Sequence, residues 1–399
     1  MSGFGAAARW LWGSSFAASI GSGLERTATA WLALDAGGGA AAVGVVAAAR
    51  MLPSLLLGLA AGTIADRVNR RTQLVAVGVA SVPLMILTSW LVASGVQIWQ
   101  VVAISFAAGT LNVFDIPARQ ALVIDAVPTE RATNAIALNA LAARLGVAIG
   151  GLAAGLLIAT RGSAACYLFV AVVTTVGALL ASRVNAPRAA HVVAAVPFGR
   201  ALRDAARLVV DVPAVRLLLG AGIACEVFGF SHPTAFPVLA RDVFRAGPEG
   251  LGLLNAGIGA GGTLSVIALA VLPARVRREP LLGAVFVVYG LGLLGLASAP
   301  SLLVAVGVTL VIGACAGAFD LLQQTLLQLA VPHEQRGRAM GLWVLGLGSA
   351  PLGHLEMGAL VSAVGAPSAL LVNGALVVTA AAGLLVRAPR YAPGRRSRT

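Results

Sequence analysis

Seven ionisable side chains stand out deep inside the long apolar runs of this sequence. Glu25 and Arg26 are neighbours in the first run, Arg50 sits in the second, Arg144 in the fifth and Glu226 near the middle of the seventh, while His354 and Glu356 share the eleventh. A charged group at bilayer depth costs about 2.5–3.5 kcal/mol even on the lenient scale, so these positions point to function. Glu226 is the best candidate for a proton-coupling carboxylate, because an acid in an apolar cavity can take up and release a proton. The competing reading is a static ion pair with Arg144 or Arg50. Adjacent helical residues point about 100° apart, so Glu25 and Arg26 cannot pair well with each other. One faces the cavity and the other a neighbouring helix. Arg50 and Arg144 serve either as counter-ions to Glu25 and Glu226 or as a site for an anionic ligand. His354 and Glu356, two residues apart, face nearly opposite sides of a helix, so both cannot line one cavity. His354 is either a second titrating group or a structural hydrogen-bonding residue.

Other chemistries find little support. Gly257-Ile-Gly-Ala-Gly-Gly262 fits a dinucleotide fingerprint as a string, but it lies inside an apolar run with no preceding strand. Close helix packing through small residues explains it better. His354-Leu-Glu356 resembles half of a zinc-deaminase signature, without the accompanying Pro-Cys-x-x-Cys. There is no Walker loop, and no Ser-x-x-Lys in a chain without lysine. Cys166, Cys225 and Cys315 are far apart, each in an apolar run, and read as small buried hydrophobes. No cofactor, no metal and no enzyme activity are expected.

Groups of this kind need membrane helices to position them. Of 399 residues 59% are hydrophobic and 11% charged, with mean hydropathy +0.92. That composition excludes a soluble domain and fits a multi-span membrane protein, all-α in class. About twelve spans follow from hydropathy. They run near Trp10–Leu34, Ala40–Gly62, Leu74–Ala93, Ile98–Ala118, Ala135–Ala159, Ser163–Ser182, Ala214–Leu239, Gly250–Leu272, Leu281–Ala297, Ser301–Gln324, Ala339–Ala363 and Pro367–Val386. Arg9 precedes a span too long for a signal-peptide core, so the first helix is expected to remain in the mature protein.

All 28 basic residues are arginine; 21 fall in the termini and even-numbered loops, 3 in the odd-numbered loops and 4 in or at the edge of spans. That asymmetry predicts an even number of spans with both termini cytoplasmic, in the plasma (inner) membrane. It also argues against nucleic acid as the partner of the +13 net charge. The longest connection, Arg183 to Pro213, is expected to include an amphipathic piece on the membrane surface. The chain thus divides into a six-helix half at 1–183, a central cytoplasmic loop at 184–213, and a second six-helix half at 214–399 with a short basic tail.

The halves repeat. Phe114-Asp115 followed by Ala126-Val-Pro-Thr-Glu130 recurs as Phe319-Asp320 followed by Ala330-Val-Pro-His-Glu334, and Gly150 and Gly155 recur as Gly353 and Gly358. Internal repeats joined by a long loop are the build of a secondary transporter with its site at the repeat interface.

The decapeptide Gly62-Thr-Ile-Ala-Asp-Arg-Val-Asn-Arg-Arg71 is a tight turn between two spans. Its pattern Gly62, Asp66, Arg67, Arg70 and Arg71 resembles the signature between helices 2 and 3 of the major facilitator superfamily. Further stretches resemble the enterobactin-exporter and drug:proton antiporter branch. They are Ser19-Ile-Gly21, Trp31-Leu32, Pro117-Ala-Arg119-Gln-Ala-Leu122, Asn134-Ala-Ile-Ala-Leu-Asn139 with Arg144, Gln335-Arg-Gly-Arg338 and Pro351-Leu-Gly353. Two positions depart from the pattern. Asn69 replaces glycine, and asparagine tolerates the left-handed backbone such a turn needs. Val147 replaces the proline that often follows the position of Gly146, which bears on the local bend of helix 5.

The resemblance implies two pseudo-symmetric six-helix halves that rock around a central cavity, with spans 3, 6, 9 and 12 outermost. Those four spans carry no Asp, Glu, His, Lys or Arg. It implies a cytoplasmic gate in which Asp66 faces the start of helix 11 near Arg338, Arg70 bridges to Asp115, and the latch favours the outward-open state. Asp320 holds the position of Asp115 in the second half. It further implies proton-coupled export, by antiport, of a small amphipathic molecule such as a drug or siderophore, by a monomer whose other partners are protons and lipid. An importer or uniporter of a metabolite, and a non-transporting membrane sensor or assembly protein, are the alternatives. Phe228, Phe230, Phe236 and Trp343 are candidate cavity wall.

Overall fold

A computed structural model describes residues 6–128, 132–185, 207–273 and 275–387, apart from the side chains of residues 59, 60, 62–67 and 133. Every regular element in it is helical. The basic tail beyond residue 387 and most of the central connection, residues 186–206, lie outside the described residues, so the expected amphipathic surface piece does too; residues 207–211 are helical.

Ten continuous segments are long and apolar enough to cross a bilayer. Two of them are double length, 53 residues at Ala6–Gly58 and 49 at Asn134–Ser182. Either would reach roughly 75–80 Å as one rod, against a hydrocarbon core of about 30 Å. Each is broken instead by glycine at positive φ: Gly37 (82°) and Gly39 (63°) in the first, Gly162 (81°) in the second. Twelve spans result: α1 (Ala6–Ala33), α2 (Gly39–Arg67), α3 (Arg70–Ala93), α4 (Ile98–Asp125), α5 (132–161), α6 (163–182), α7 (Pro213–Val243), α8 (Gly247–Ala270), α9 (Arg278–Ala297), α10 (Leu302–Leu329), α11 (His333–Val364) and α12 (Ala366–Arg387).

The two faces turn the chain differently. Every positive-φ residue among the described ones (Gly37, Gly39, Gly95, Gly162, Arg245, Gly247 and Gly365) lies in the α1/α2, α3/α4, α5/α6, α7/α8 or α11/α12 connection. Those are the arginine-poor loops. On the arginine-rich face the α2/α3 turn needs no left-handed residue, contrary to expectation. Asn69 has φ −63° and ψ 116°, and its Oδ1 accepts from the amides of Arg71 and Thr72 as the N-cap of α3. Asparagine serves there because its side chain satisfies two helix-end N–H groups. Val147 lies within an unbroken helical run, and the carbonyl of Val147 packs on Gly23.

Each half has its own core. One cluster runs from Leu208 to Leu384 and includes Tyr289, Phe286, Phe236 and Phe319, with buried Ala40 and half-buried Trp31 joining from the first half. Two others, around Leu24, Tyr167 and Val170 and around Leu11, Trp12 and Leu122, belong to the first half. The halves meet along two glycine seams. On α2 and α11, a Cβ at Gly44 would lie 2.4 Å from the carbonyl oxygen of His354, and Gly358 sits on the Gly44 backbone. On α5 and α8, Gly155 faces Gly252, and Ala148 packs on Gly259. Both seams occupy the half of the bilayer away from the arginine-rich loops. Towards those loops, the first part of α11, Arg336–Leu347, packs on α7 and α10 of its own half. The seams therefore close the arginine-poor face. Adding side-chain atoms there costs about 1–3 kcal/mol of overpacking, enough to shift a two-state population severalfold. Gly44→Val is expected to favour separation of the arginine-poor ends. Spin labels on cysteines at Arg161 and Arg245, in a background without the native cysteines, will report a larger long-distance population. An unchanged distribution would show that the seam does not set the conformation.

Candidate functional site

The buried charges fall into two groups, one in each half, and α1 and α7 begin them. On α1, Glu25 is buried and pairs with Arg50 of α2. Arg26, next along the helix, points elsewhere. It is exposed although it lies mid-span, and it stands within electrostatic reach of Arg50 and of His354 across the interface. Arg26 therefore faces the cleft between the halves, while Glu25 turns into the first half. Arg50 is the counter-ion of Glu25, not of Glu226.

On α7, Glu226 sits in a single π turn, Cys225–Gly229, closed by the amide of Phe230 donating to the Cys225 carbonyl at 2.7 Å. One-turn π insertions are frequent at functional positions because they re-aim side chains. Gly353 of α11 makes room for this turn: a Cβ there would lie 2.5 Å from the Val227 carbonyl oxygen. Glu226 is 9% exposed and forms no ion pair among the described residues. Its charged neighbour is Asp320 of α10, another carboxylate. Arg144 of α5 supplies positive charge from the other half. Its guanidinium crosses between Gly262 and Gly317, where added Cβ atoms would lie 2.7 and 3.1 Å from Nη1, and comes within reach of Asp320.

The repeat explains this dependence. Asp115 in the first half is held in two-point fashion by Arg119, four residues on, at 2.8 Å for both contacts. Arg119 also donates to the hydroxyls of Ser14 and Ser15. At the matching place in the second half, Asp320 has Gln324, whose amide donates to Oδ1 at 3.2 Å. A neutral amide thus replaces the arginine. Aligning the two Phe-Asp repeats and reading four residues further would have exposed the substitution in the sequence.

The expected gate is arranged otherwise. Arg70 pairs with Asp125 at the end of its own half, and Asp115 is occupied by Arg119, so no Arg70–Asp115 bridge forms. Asp125 was not foreseen as a partner. Arg71 is exposed, and Gly62, Asp66 and Arg67 are helical, with side chains outside the described residues. Glu356 does not line the cleft: it accepts from Asn373 of α12 at 3.0 Å. His354 is buried and shares a 2.7 Å hydrogen bond with Thr234. His232, a residue not singled out in the sequence, bonds the Gly229 carbonyl and the Tyr289 hydroxyl. Its Nε2 and the neighbouring Ser231 hydroxyl are buried without a protein partner. No group of three or more metal-ligating side chains occurs among the described residues.

Comparison with known proteins agrees with this geometry. A family model of transmembrane secretion effectors matches residues 5–394. The staphyloferrin A transporter of Staphylococcus aureus (strain NCTC 8325 / PS 47) is 22% identical over 364 residues, 88% of each chain. Among solved structures, the nucleoside transporter NupG superposes with a TM-score of 0.75 at 14% identity, covering 95% of this chain and 99% of that one. A bacterial homologue of the human lysosomal transporter Spinster, inward-facing and unoccupied, gives 0.69 at 16% identity over the whole of both chains. A POT family transporter in complex with a thioalcohol-conjugated peptide gives 0.74 at 11% identity, covering 96% of each. At these identities the structures show the shared fold. With the family match spanning nearly every residue, the chain belongs to the transmembrane secretion effectors, multi-pass transporters of the major facilitator superfamily.

Proposed function

We propose that the protein is a proton-coupled antiporter that exports a small amphipathic molecule by alternating access. One observation carries the reading. Glu226 of α7 and Asp320 of α10 lie within electrostatic reach of each other, and the one arginine among the described residues seen to act on Asp320, Arg144, comes from the opposite half. Two carboxylates and one guanidinium leave one negative charge uncompensated at bilayer depth, where uncompensated charge is costly. A proton, or a cationic group of the substrate, compensates it. Competition between the two for one place is the requirement of antiport. Because Arg144 belongs to the other half, occupancy of the carboxylates is linked to how the halves meet.

The arginine-rich face is the cytoplasmic one on the positive-inside rule, with both termini there and the chain in the plasma membrane. The cleft then opens to the cytoplasm, and the seams close the outside. Export is favoured by the family's description as secretion effectors and by the branch resemblance. The staphyloferrin A transporter makes a siderophore the first substrate to try. A single chain supplies both six-helix halves, which supports action as a monomer.

The test is reconstitution in liposomes with a pH-sensitive dye inside. Siderophores including staphyloferrin A, macrolides and cationic dyes are added in turn. Wild type is expected to move protons when its substrate is added, and Glu226→Gln to lose that movement by about tenfold or more. Proton movement that survives Glu226→Gln would shift the coupling role to Glu25 or His354. No movement with any compound would overturn antiport and favour uniport.

A second variant addresses the missing arginine. Gln324→Arg restores to Asp320 the partner that Asp115 has in Arg119. It is expected to lower substrate-driven proton movement by about tenfold while leaving downhill substrate exchange within severalfold of wild type. Undiminished coupling in Gln324→Arg would show that the uncompensated charge is not the proton site.

A further inference from the structure

The first half contains a partly open cavity that the cleft does not explain. It has a volume of about 130 Å³ and is walled by α1, α3, α4 and α6, with Arg50 of α2 at one end. Along α1 its wall runs from Ser14 to Glu25, eleven residues or about 16 Å of helix. Spread over that length, the volume corresponds to a narrow file, with room for on the order of ten waters at most.

Its polar groups are spaced along the file. The Glu25–Arg50 pair stands at mid-membrane, and the Asp115–Arg119 pair stands towards the arginine-rich face. Between them the wall presents Ser22, Ser81, Asn112 and Thr174. Ser81 donates to the Val77 carbonyl, whereas Ser22, Asn112 and Thr174 make no side-chain hydrogen bond to another described residue. Polar groups without protein partners in a cavity of this size hold water. The guanidinium at the mouth is no obstacle to a positive charge, because Asp115 neutralises Arg119 in two-point fashion and Ser14 and Ser15 hold it.

We propose that this cavity is a file of water joining Glu25 to the arginine-rich face, a proton route inside the first half that is separate from the substrate's cleft. The inference rests on the proton-coupled reading above. In each passage Glu25 is a relay and not the site where proton and substrate compete: its carboxylate takes the proton that the Glu226–Asp320 site releases, passes it to the nearest water of the file and is left paired with the Arg50 guanidinium, while the proton moves along the file to the face. The other ionisable groups within electrostatic reach of Glu25 are Arg26, beside it on α1 but turned to the cleft, and the Tyr167 hydroxyl of α6. Arg26 opens on the cleft, so α1 is the wall between the two routes.

Two measurements test this. Radiolytic footprinting modifies side chains next to ordered water and needs no substrate. Met85 lines the cavity at 4% surface exposure, and Met357, at 0%, lies in the second half's core. Met85 is expected to oxidise about tenfold faster than Met357, and Asn112→Leu to remove most of that difference. Equal protection of the two methionines would overturn the proposal whatever the transport result. In liposomes, Asn112→Leu is expected to slow substrate-driven proton movement by about tenfold while substrate exchange stays within severalfold of wild type, and Asn112→Ser to restore it. Wild-type proton movement in Asn112→Leu would also overturn the route. A wild type that moves no protons while Met85 is still oxidised rapidly would instead reject the proton-coupled reading, and with it the purpose given to the water file.

Discussion

Unequal sharing of arginine between the two halves governs the electrostatics of this membrane interior. The first half is self-sufficient: Glu25 has Arg50, Asp115 has Arg119 and Asp125 has Arg70. The second half brings Glu226 and Asp320 within electrostatic reach of each other, with no ion pair to either among the described residues. Arg144 supplies the one positive charge by reaching over two glycines, Gly262 and Gly317, whose missing side chains are the space it uses. Charge that takes its partner from the other half ties contact between the halves to electrostatics, which a purely apolar interface does not.

The packing around this charge is divided between rigid and adjustable parts. Glycine seams at Gly44–Gly358 and Gly155–Gly252 bring backbones together on one side of the bilayer, where dispersion and weak polar contacts act without a hydrophobic drive between helices. The π turn at Cys225–Gly229 and the glycine it packs on, Gly353, stand beside the carboxylates. Rocking of one half over the other needs surfaces of this kind: close enough to hold, and small enough in side-chain relief to slide.

Much of this architecture is legible in the sequence, because bilayer thickness and the positions of arginine constrain it. Twelve apolar runs and their alternation of arginine-rich and arginine-poor loops correspond to the twelve helices, with boundaries displaced by a few residues. Outermost helices without charge follow from the cost of charge against lipid. The pairing of charges was less legible. Arg70 and Asp115 looked like partners because both are near the same face, but the rotation of α3 and α4 about their axes sends Arg70 to Asp125. Glu356 belonged to a plausible cavity face until α12 placed Asn373 against it. Asn69 was read for its tolerance of left-handed backbone, and its side-chain oxygen proved the reason for its presence. Helix rotation and side-chain reach come from tertiary packing, and hydropathy does not encode them.

The glycine turns on the arginine-poor face carry a consequence for how the chain enters the membrane. Helices α1/α2, α3/α4, α5/α6, α7/α8 and α11/α12 are each joined there by a short connection with a positive-φ residue. Such turns have little length to spare and bring consecutive helices antiparallel soon after the second is made. On the proposed orientation the connections that cross are small and carry three arginines in all. That orientation has the chain insert as a series of helical hairpins, each tip first, with most of its arginines left on the side where synthesis occurs.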